Sequence, residues 1–298
     1  MTQAVFRFAP SPNGRLHLGH AYSALLNQKL AREAGGILLL RIENTDRLRC
    51  TPALEAHMLE DLRWLGIAWE GEPRRQSAHS ADYEEAVKRL EAMGLAYPAF
   101  LSRGEARRLV EDKTAAGGSL PRAWPCDPDG VPHYPGDDRS FGQEERARRI
   151  GRGDPYAMRF DMARAMGASD AVRERLCWRE EGGGPDGERG DIVADPAAWG
   201  DFMLTGRDRS AAYHLACVVD DAIQGITHVV RGRDLYHATS AHRLLQELLG
   251  LPVPLYCHHD LILDGDGRKL SKSDADTSLG EMRAAGATPQ DIVRMVGL

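Results

Sequence analysis

The chain has 298 residues, of which 42% are hydrophobic and 28% are charged, and its formal net charge is −6. This composition supports a sizeable core, and it excludes a wholly disordered chain and a globally basic, non-specific nucleic-acid binder. No apolar run approaches the roughly 18 residues of a membrane span, and residues 1–12 lack a secretory signal. We therefore expect a cytoplasmic protein that has no membrane partner.

The N-terminal part alternates between strand and helix signals. Residues 4–8 are β-prone and are followed by Pro10 and Pro12, whereas apolar residues recur at helical spacing over 17–30 and the Gly35–Gly36 pair ends that helix. The next segment, Ile37–Ile42, is a continuous apolar run, which is typical of a strand buried on both faces. Strand, helix and strand within about forty residues predict a βαβ unit with a parallel sheet.

Further helices follow this unit. Thr51 and Pro52 form the cap and first position of a helix that is predicted to end before Gly66, and a second helix over 81–93 is predicted to end at Gly94. Strand and helix signals return near the C-terminus, at 212–232, 240–249, 259–264 and 289–296.

The middle of the chain has a different composition. From about residue 97 to 200 it is richer in glycine, proline and charge, yet residues 156–162 alternate like a strand. We therefore predict an insertion at 97–200 into a larger domain formed by residues 1–96 and 201–298.

The first segment that suggests chemistry is RFAPSPNGRLHLGH, residues 7–20. If His17 opens the helix, His17 and His20 share one face of the first turn, where free backbone N–H groups attract anions. Gly19 would let a flat ligand approach closely. The segment predicts a nucleotide site, although an ordinary helical turn with surface histidines is an alternative.

The second segment is GRKLSKS, residues 267–273, which carries Lys269 and Lys272. Such a loop can close over a triphosphate and place an ammonium group against charge that develops at phosphorus. Taken alone, however, the segment favours a solvated basic turn.

Together, HLGH and KLSKS resemble the two signature motifs of class I aminoacyl-tRNA synthetases. The blocks RFAPSPNGRLHLGH, GGILLLRIENTD, YHLACVVDDAIQGITHVVRG and LILDGDGRKLSKS resemble the glutamyl-specific catalytic domain. The similarity spans residues 5–273 and is weakest in the middle. It implies an α/β fold with a Rossmann-type parallel-sheet nucleotide-binding domain, a smaller inserted α/β subdomain of the acceptor type, and no anticodon-binding domain.

The resemblance also implies roles for individual residues. The catalytic residues would be His17, His20, Lys269 and Lys272. The ATP-binding residues would be His17, Gly19, His20 and Lys272. The glutamate-binding residues would be Arg7, Ala9, Ser11, Glu43, Tyr213 and Arg231. Without the resemblance, each of the glutamate-binding candidates could instead have a purely structural role. Glu43, for example, could simply pair with Arg41 or Arg47. Mg²⁺ would accompany ATP as co-substrate.

Two departures from the family pattern concern charge and metal. Asn44 stands where many relatives carry an acid, a change from which we expect little loss. Some relatives have zinc-ligand cysteines where this chain has Ala99, Leu101 and Asp138. The cysteines of this chain are scattered and no two form a CxC or CxxC pair: Cys50, Cys126, Cys177, Cys217 and Cys257. A lone Cys126 cannot build a tetrahedral site, so we predict no structural zinc and no metal site.

Because few residues follow Ser273, we expect no helical anticodon-reading domains. The chain thus resembles the truncated paralogues that esterify glutamate to queuosine at the wobble position of tRNA(Asp). The expected partners are L-glutamate, ATP and queuosine-containing tRNA(Asp), and we expect a monomer. Three alternatives stay open: a shortened glutamyl-tRNA(Glu) synthetase that charges the terminal adenosine, another adenylate-forming ligase or nucleotidyltransferase, and an inactive core retained as an RNA-binding module.

Overall fold

The structure is a computed structural model that describes residues 3–115, 123–167, 176–208, 210–263 and 277–298. The strands, in chain order, are β1 (Val5–Phe8), β2 (Ile37–Ile42), β3 (Arg74–Arg75), β4 (Ala96–Ala99), β5 (Ala157–Phe160), β6 (Cys177–Glu180), β7 (Gly190–Val193), β8 (Met203–Thr205), β9 (His228–Gly232) and β10 (Leu255–His259). The helices are α1 (Leu18–Glu33), α2 (Pro52–Trp64), α3 (Ser80–Ala92), α4 (Arg103–Ala115), α5 (Gln143–Gly151), α6 (Met162–Gly167), α7 (Tyr213–Ile223), α8 (Ala238–Leu249), α9 (Leu279–Ala284) and α10 (Pro289–Met295).

The main sheet has the strand order β3-β2-β1-β9-β10-β6-β7. Its neighbours are parallel except for β7, which runs antiparallel to β6. The first two strands pair from Val5 opposite Ile37 to Phe8 opposite Leu40. Strands β2 and β3 are added on one side of β1, whereas β9 pairs with the other edge of β1. The direction of strand order therefore switches between β1 and β9. Ligands of open parallel sheets bind outside the carboxyl ends of the strands at such a point. The predicted parallel α/β fold is confirmed.

Local sequence signals place several helix ends. The Thr51 hydroxyl accepts a hydrogen bond from the Leu54 amide at 3.3 Å, and Pro52 occupies the first turn of α2. Gly66 and Gly94 end α2 and α3 in the left-handed region, with φ of 76° and 71°. Helix α1 begins at Leu18 rather than at His17, because the His17 side chain caps the helix from outside it.

The described residues form three apolar core clusters, of which two are large. One packs α1, α2 and α10 against β1 and β2, with Leu16, Leu40 and Leu62 fully buried. The other joins α3, α7 and α8 to the small antiparallel sheet β4-β5-β8, where the Phe160 and Phe202 rings stack at 5.0 Å. The second cluster therefore ties the small sheet to the helices that cover the main one.

The predicted insertion at 97–200 differs from the structure at two places. Strands β6 and β7 lie within that range but belong to the main sheet, because β6 pairs in parallel with β10 at Glu180 and Tyr256. Strand β8, beyond residue 200, belongs to the small sheet. The pairings join residues distant in sequence, which local patterns do not reveal. The division of the chain into two domains otherwise stays a prediction.

Candidate active site

The six predicted glutamate-binding residues gather around the carboxyl ends of three adjacent strands. Arg7 lies in β1, Glu43 directly follows β2 and Arg231 lies in β9. The Glu43 amide donates a hydrogen bond to the Pro10 carbonyl at 3.1 Å, which joins the segment after β2 to the one after β1. Ala9 and Ser11, which are also predicted to bind glutamate, lie in the segment after β1, and both are partly exposed. Tyr213 opens α7 and reaches the same region.

Arg7 and Arg41 share one buried carboxylate. Asp221 Oδ1 lies 3.3 Å from Arg7 Nε and 2.6 Å from the Arg41 guanidinium, and all three side chains are buried. Burial alone would raise the pKa of Asp221, but Arg41 and Arg7 outweigh it and hold that pKa below its ordinary value. Asp221 thus stays ionised and fixes the positions of Arg7 and Arg41 at the site.

Glu43 is held differently. Its Oε1 lies 3.6 Å from Arg41, so the pairing with Arg41 that the sequence allowed is present. Burial raises the pKa of Glu43 despite the attraction of Arg41 and Arg7, and the nearby carboxylates of Asp221 and Asp220 act in the same direction as burial. A further cation beside Glu43 would favour its ionised form, so this environment suits the ammonium group of a ligand.

Arg231 is buried and is surrounded by neutral partners. It donates to Thr239 Oγ1 at 2.7 Å, to Tyr213 Oη at 3.2 Å and to His258 Nε2 at 3.1 Å. The His242 ring lies at 3.3 Å, and burial lowers its pKa well below the ordinary value, so this ring is neutral. Within the described residues no carboxylate lies at ion-pair distance from Arg231. Its charge is therefore available to an anionic ligand.

The two histidines lock the start of α1 by a reciprocal capping arrangement. His17 Nδ1 accepts from the Gly19 amide at 3.1 Å, and His20 Nδ1 accepts from the His17 amide at 3.3 Å. The ring centroids are 3.9 Å apart. An imidazole whose Nδ1 accepts a hydrogen bond is neutral and carries its proton on Nε2. A Cβ added at Gly19 would lie 3.1 Å from the His17 ring, so a larger residue there would require a small shift of that ring.

A cavity of about 520 Å³ adjoins His17. The cavity lies between the N-terminal end of α1 and the helices α2 and α9. Its wall includes Arg15, His57 and Arg283. None of the six predicted glutamate-binding residues lines it. Lys269 and Lys272 lie outside the described residues, so their roles stay predictions.

A carboxylate occupies the position at which some relatives were expected to carry a zinc ligand. Asp138 is buried, and its Oδ2 accepts from the Phe100 amide and from the Tyr134 hydroxyl, both at 2.6 Å. Cys126 is exposed. In the part of the chain that the structure describes, no three His, Cys, Asp or Glu side chains form a group that could hold a metal ion. The predicted absence of zinc stays a prediction, and Asp138 joins the segments that contain Phe100 and Tyr134 through its hydrogen bonds.

Replacement of Asp138 with alanine should therefore lower the free energy of unfolding by roughly 2–3 kcal/mol, because a buried amide and a half-buried hydroxyl lose their shared acceptor. Chemical denaturation monitored by fluorescence measures the change. Asp137→Ala is the matched control, since the neighbouring carboxylate is exposed and pairs with the Lys113 ammonium. Equal midpoints for the two variants would contradict the assigned role of Asp138.

Several site residues were not found from the sequence. Asp220 and Asp221 bind Arg41, Arg74 and Arg7, whereas the sequence pattern indicates only that they belong to a helical block. Two adjacent acids inside the apolar stretch of α7 were an available signal, because acids buried in a core require cationic partners.

The arrangement defines a Rossmann-type α/β protein in which a histidine-capped helix and a set of buried charges meet at the switch point of a parallel sheet. The model of the family described as tRNA synthetases class I (E and Q), catalytic domain, matches residues 3–298. The chain belongs to this family, and the resemblance drawn from its motifs is confirmed.

Individual relatives refine the comparison. The glutamyl-Q tRNA(Asp) synthetase of Rhodobacter capsulatus is 42% identical, over 99% of this chain and 100% of that protein. A protein of the same name from Symbiobacterium thermophilum is 38% identical, over 96% of this chain and 83% of its own length. Among solved structures, the glutamate-tRNA synthetase from Elizabethkingia anophelis matches with a TM-score of 0.78 and 27% identity, over 100% of this chain and 61% of that one. Separately, no helix in the described ranges has the length and apolar character that crossing a membrane requires.

Proposed function

We propose that the protein activates L-glutamate with ATP and transfers it to the queuosine base of tRNA(Asp). The observation that carries the chemistry is the meeting of Arg7, Glu43 and Arg231 at the carboxyl ends of β1, β2 and β9. The acceptor is inferred from the two relatives that are 42% and 38% identical, because both are named for glutamyl-Q tRNA(Asp) and this chain covers 100% and 83% of their lengths.

Glutamate would bind through charge complementarity. Arg7 and Arg231 would hold its carboxylate groups, since guanidinium groups match carboxylates geometrically and remain charged when buried. Glu43 would receive the α-ammonium group, whose positive charge would favour the ionised form of a carboxylate whose pKa is raised mainly by burial. Ala9 and Ser11 would contact the amino acid through backbone and hydroxyl groups, and Tyr213 would close the pocket wall.

ATP would bind at the start of α1. The Nε2–H groups of His17 and His20 would donate to phosphate oxygens, and Gly19 would let the base lie close to the helix. We assign Lys269 and Lys272 to the charge that develops at the α-phosphorus. Mg²⁺ would enter on the ATP phosphates, and no step below depends on a metal held by side chains.

The reaction has two steps. An oxygen of the glutamate α-carboxylate attacks the α-phosphorus, the bond to the β-phosphate breaks, and glutamyl-adenylate and pyrophosphate form. A hydroxyl of the queuosine cyclopentenediol then attacks the activated carbonyl, loses its proton, and expels AMP. Catalysis in the first step consists mainly of alignment and charge stabilisation.

We further propose that the protein acts in the cytoplasm as a monomer.

A shortened glutamyl-tRNA(Glu) synthetase is the competing proposal. It is favoured by the likeness to the glutamate-tRNA synthetase from Elizabethkingia anophelis, although that chain is longer and only 27% identical.

The deciding experiment charges tRNA with labelled glutamate using purified protein and ATP. Four pools are compared: queuosine-containing and queuosine-free tRNA, each intact or with the terminal adenosine removed. We expect label in both queuosine-containing pools and in neither of the others. Label that depends on the terminal adenosine but not on queuosine would overturn the proposal in favour of tRNA(Glu) charging.

A further inference from the structure

The Glu180 and His258 pair lies behind Arg231 and is not explained by substrate contact. Glu180 ends β6 and His258 lies in β10, the two strands that pair in parallel across the main sheet. His258 Nδ1 is 2.6 Å from Glu180 Oε2, and both side chains are completely buried. On its other side, His258 Nε2 is 3.1 Å from Arg231 Nε. The three side chains form a continuous chain of hydrogen bonds that ends at the proposed glutamate site.

The protonation states of these three hydrogen-bonded side chains are determined by Glu180 at one end of the series and by Arg231 at the other. Glu180 also accepts from the backbone amides of His258 and Gly182 and from the Trp178 indole, and hydrogen bonds from His258 outweigh burial and lower the pKa of Glu180. An ionised carboxylate only accepts, so His258 must carry its proton on Nδ1. Burial lowers the pKa of His258 to about 4, so the ring is neutral and its Nε2 lone pair faces Arg231.

This tautomer is the one that Arg231 requires. Arg231 Nε–H can only donate, so a proton on His258 Nε2 would place two donors against each other. With Nε2 as acceptor and Thr239 Oγ1 accepting at 2.7 Å, the guanidinium plane is fixed from two sides. Binding of a carboxylate by a guanidinium depends on such orientation, because both partners are planar.

We propose that Glu180 and His258 are positioning residues that hold Arg231 in the orientation that binds glutamate. The inference rests on the proposed function, in which glutamate is the substrate. It also gives β6 a role at the site although the strand comes from the predicted insertion.

The test replaces one carboxylate oxygen of Glu180, the residue farthest from the proposed glutamate site, with an amide nitrogen. Glu180→Gln keeps the shape but can donate to His258 Nδ1, which forces the proton onto Nε2 and against Arg231. We expect a rise of about tenfold in KM for glutamate in ATP–pyrophosphate exchange, with KM for ATP unchanged. Glu181→Gln is the control, because it makes the same charge change at the adjacent exposed residue. An equal effect of the two variants, or an equal rise in both Michaelis constants, would overturn the inference.

A second pair of variants tests the ring itself and does not depend on the stability of Glu180→Gln. His258→Gln can place its amide oxygen near the former Nε2 and accept from Arg231, whereas His258→Leu cannot. Both lose the ring bond to Glu180, so their difference isolates the acceptor. We expect His258→Leu to have a KM for glutamate several-fold above that of His258→Gln, and equal values would contradict the proposal. Wild-type protein without glutamate-dependent exchange would instead refute the proposed function.

Discussion

Asp221→Asn should destabilise the folded protein by about 3–5 kcal/mol, the range found when one partner of a buried charge pair is removed. Asp221 is the carboxylate shared by Arg7 and Arg41, and the loss of its charge leaves two buried guanidinium groups facing each other with less compensation. Thermal and denaturant unfolding measure the change. Asp191→Asn is the control, since Asp191 pairs with Arg179 on the surface. A stability close to wild type would show that the arginines are compensated elsewhere.

The same carboxylate predicts a pH dependence. The pKa of Asp221 is lower in the folded protein than in the unfolded chain, so its stabilisation is complete above the unfolded pKa of about 4 and is lost as the pH falls through the lowered folded value. The difference in unfolding free energy between wild type and Asp221→Asn should therefore be constant near neutrality and shrink below about pH 4. A difference that instead shrinks between pH 6 and 8 would assign the effect to another group.

His20→Ala should lower kcat for glutamate-dependent ATP–pyrophosphate exchange by about 10²–10³-fold, the usual loss when one donor to a transition-state anion is removed. KM for glutamate should change little, because His20 lies at the start of α1 and not among the glutamate-binding residues. His20 also accepts from the His17 amide at 3.3 Å, so the variant loses one capping contact and some stability.

Two measurements separate the catalytic loss from the structural one. Activity is assayed well below the unfolding transition of the variant, and His79→Ala serves as the control because His79 is a half-exposed residue before α3. A loss smaller than tenfold in His20→Ala would remove His20 from the catalytic residues. A raised KM for glutamate at unchanged kcat would place His20 in the amino-acid pocket instead.

The sequence predicted most of what local chemistry determines. The predicted β1, α1 and β2 correspond to elements of the structure, and so do the helices before Gly66 and Gly94, because caps, glycines and apolar runs act within a few residues. The contacts of Asp221 with Arg7 and Arg41 join residues 214 and 180 positions apart, and those of Glu180 with His258 join residues 78 apart. No local pattern encodes such pairings, since they arise only when the strands and helices pack. Glu180 was missed for this reason.

The pairing of β1 with β9 has a consequence for how the protein is made. Val5 hydrogen-bonds to the Thr227 hydroxyl, a partner 222 residues later in the chain. At typical rates of about 5–20 residues per second, the ribosome needs roughly 10–45 s to supply that partner after β1 has emerged. During this time β2 can cover only one edge of β1, and the other edge presents unpaired N–H and C=O groups. Of the strands in the main sheet, β1 therefore waits longest for its second neighbour during synthesis, and it is the strand most in need of protection until then.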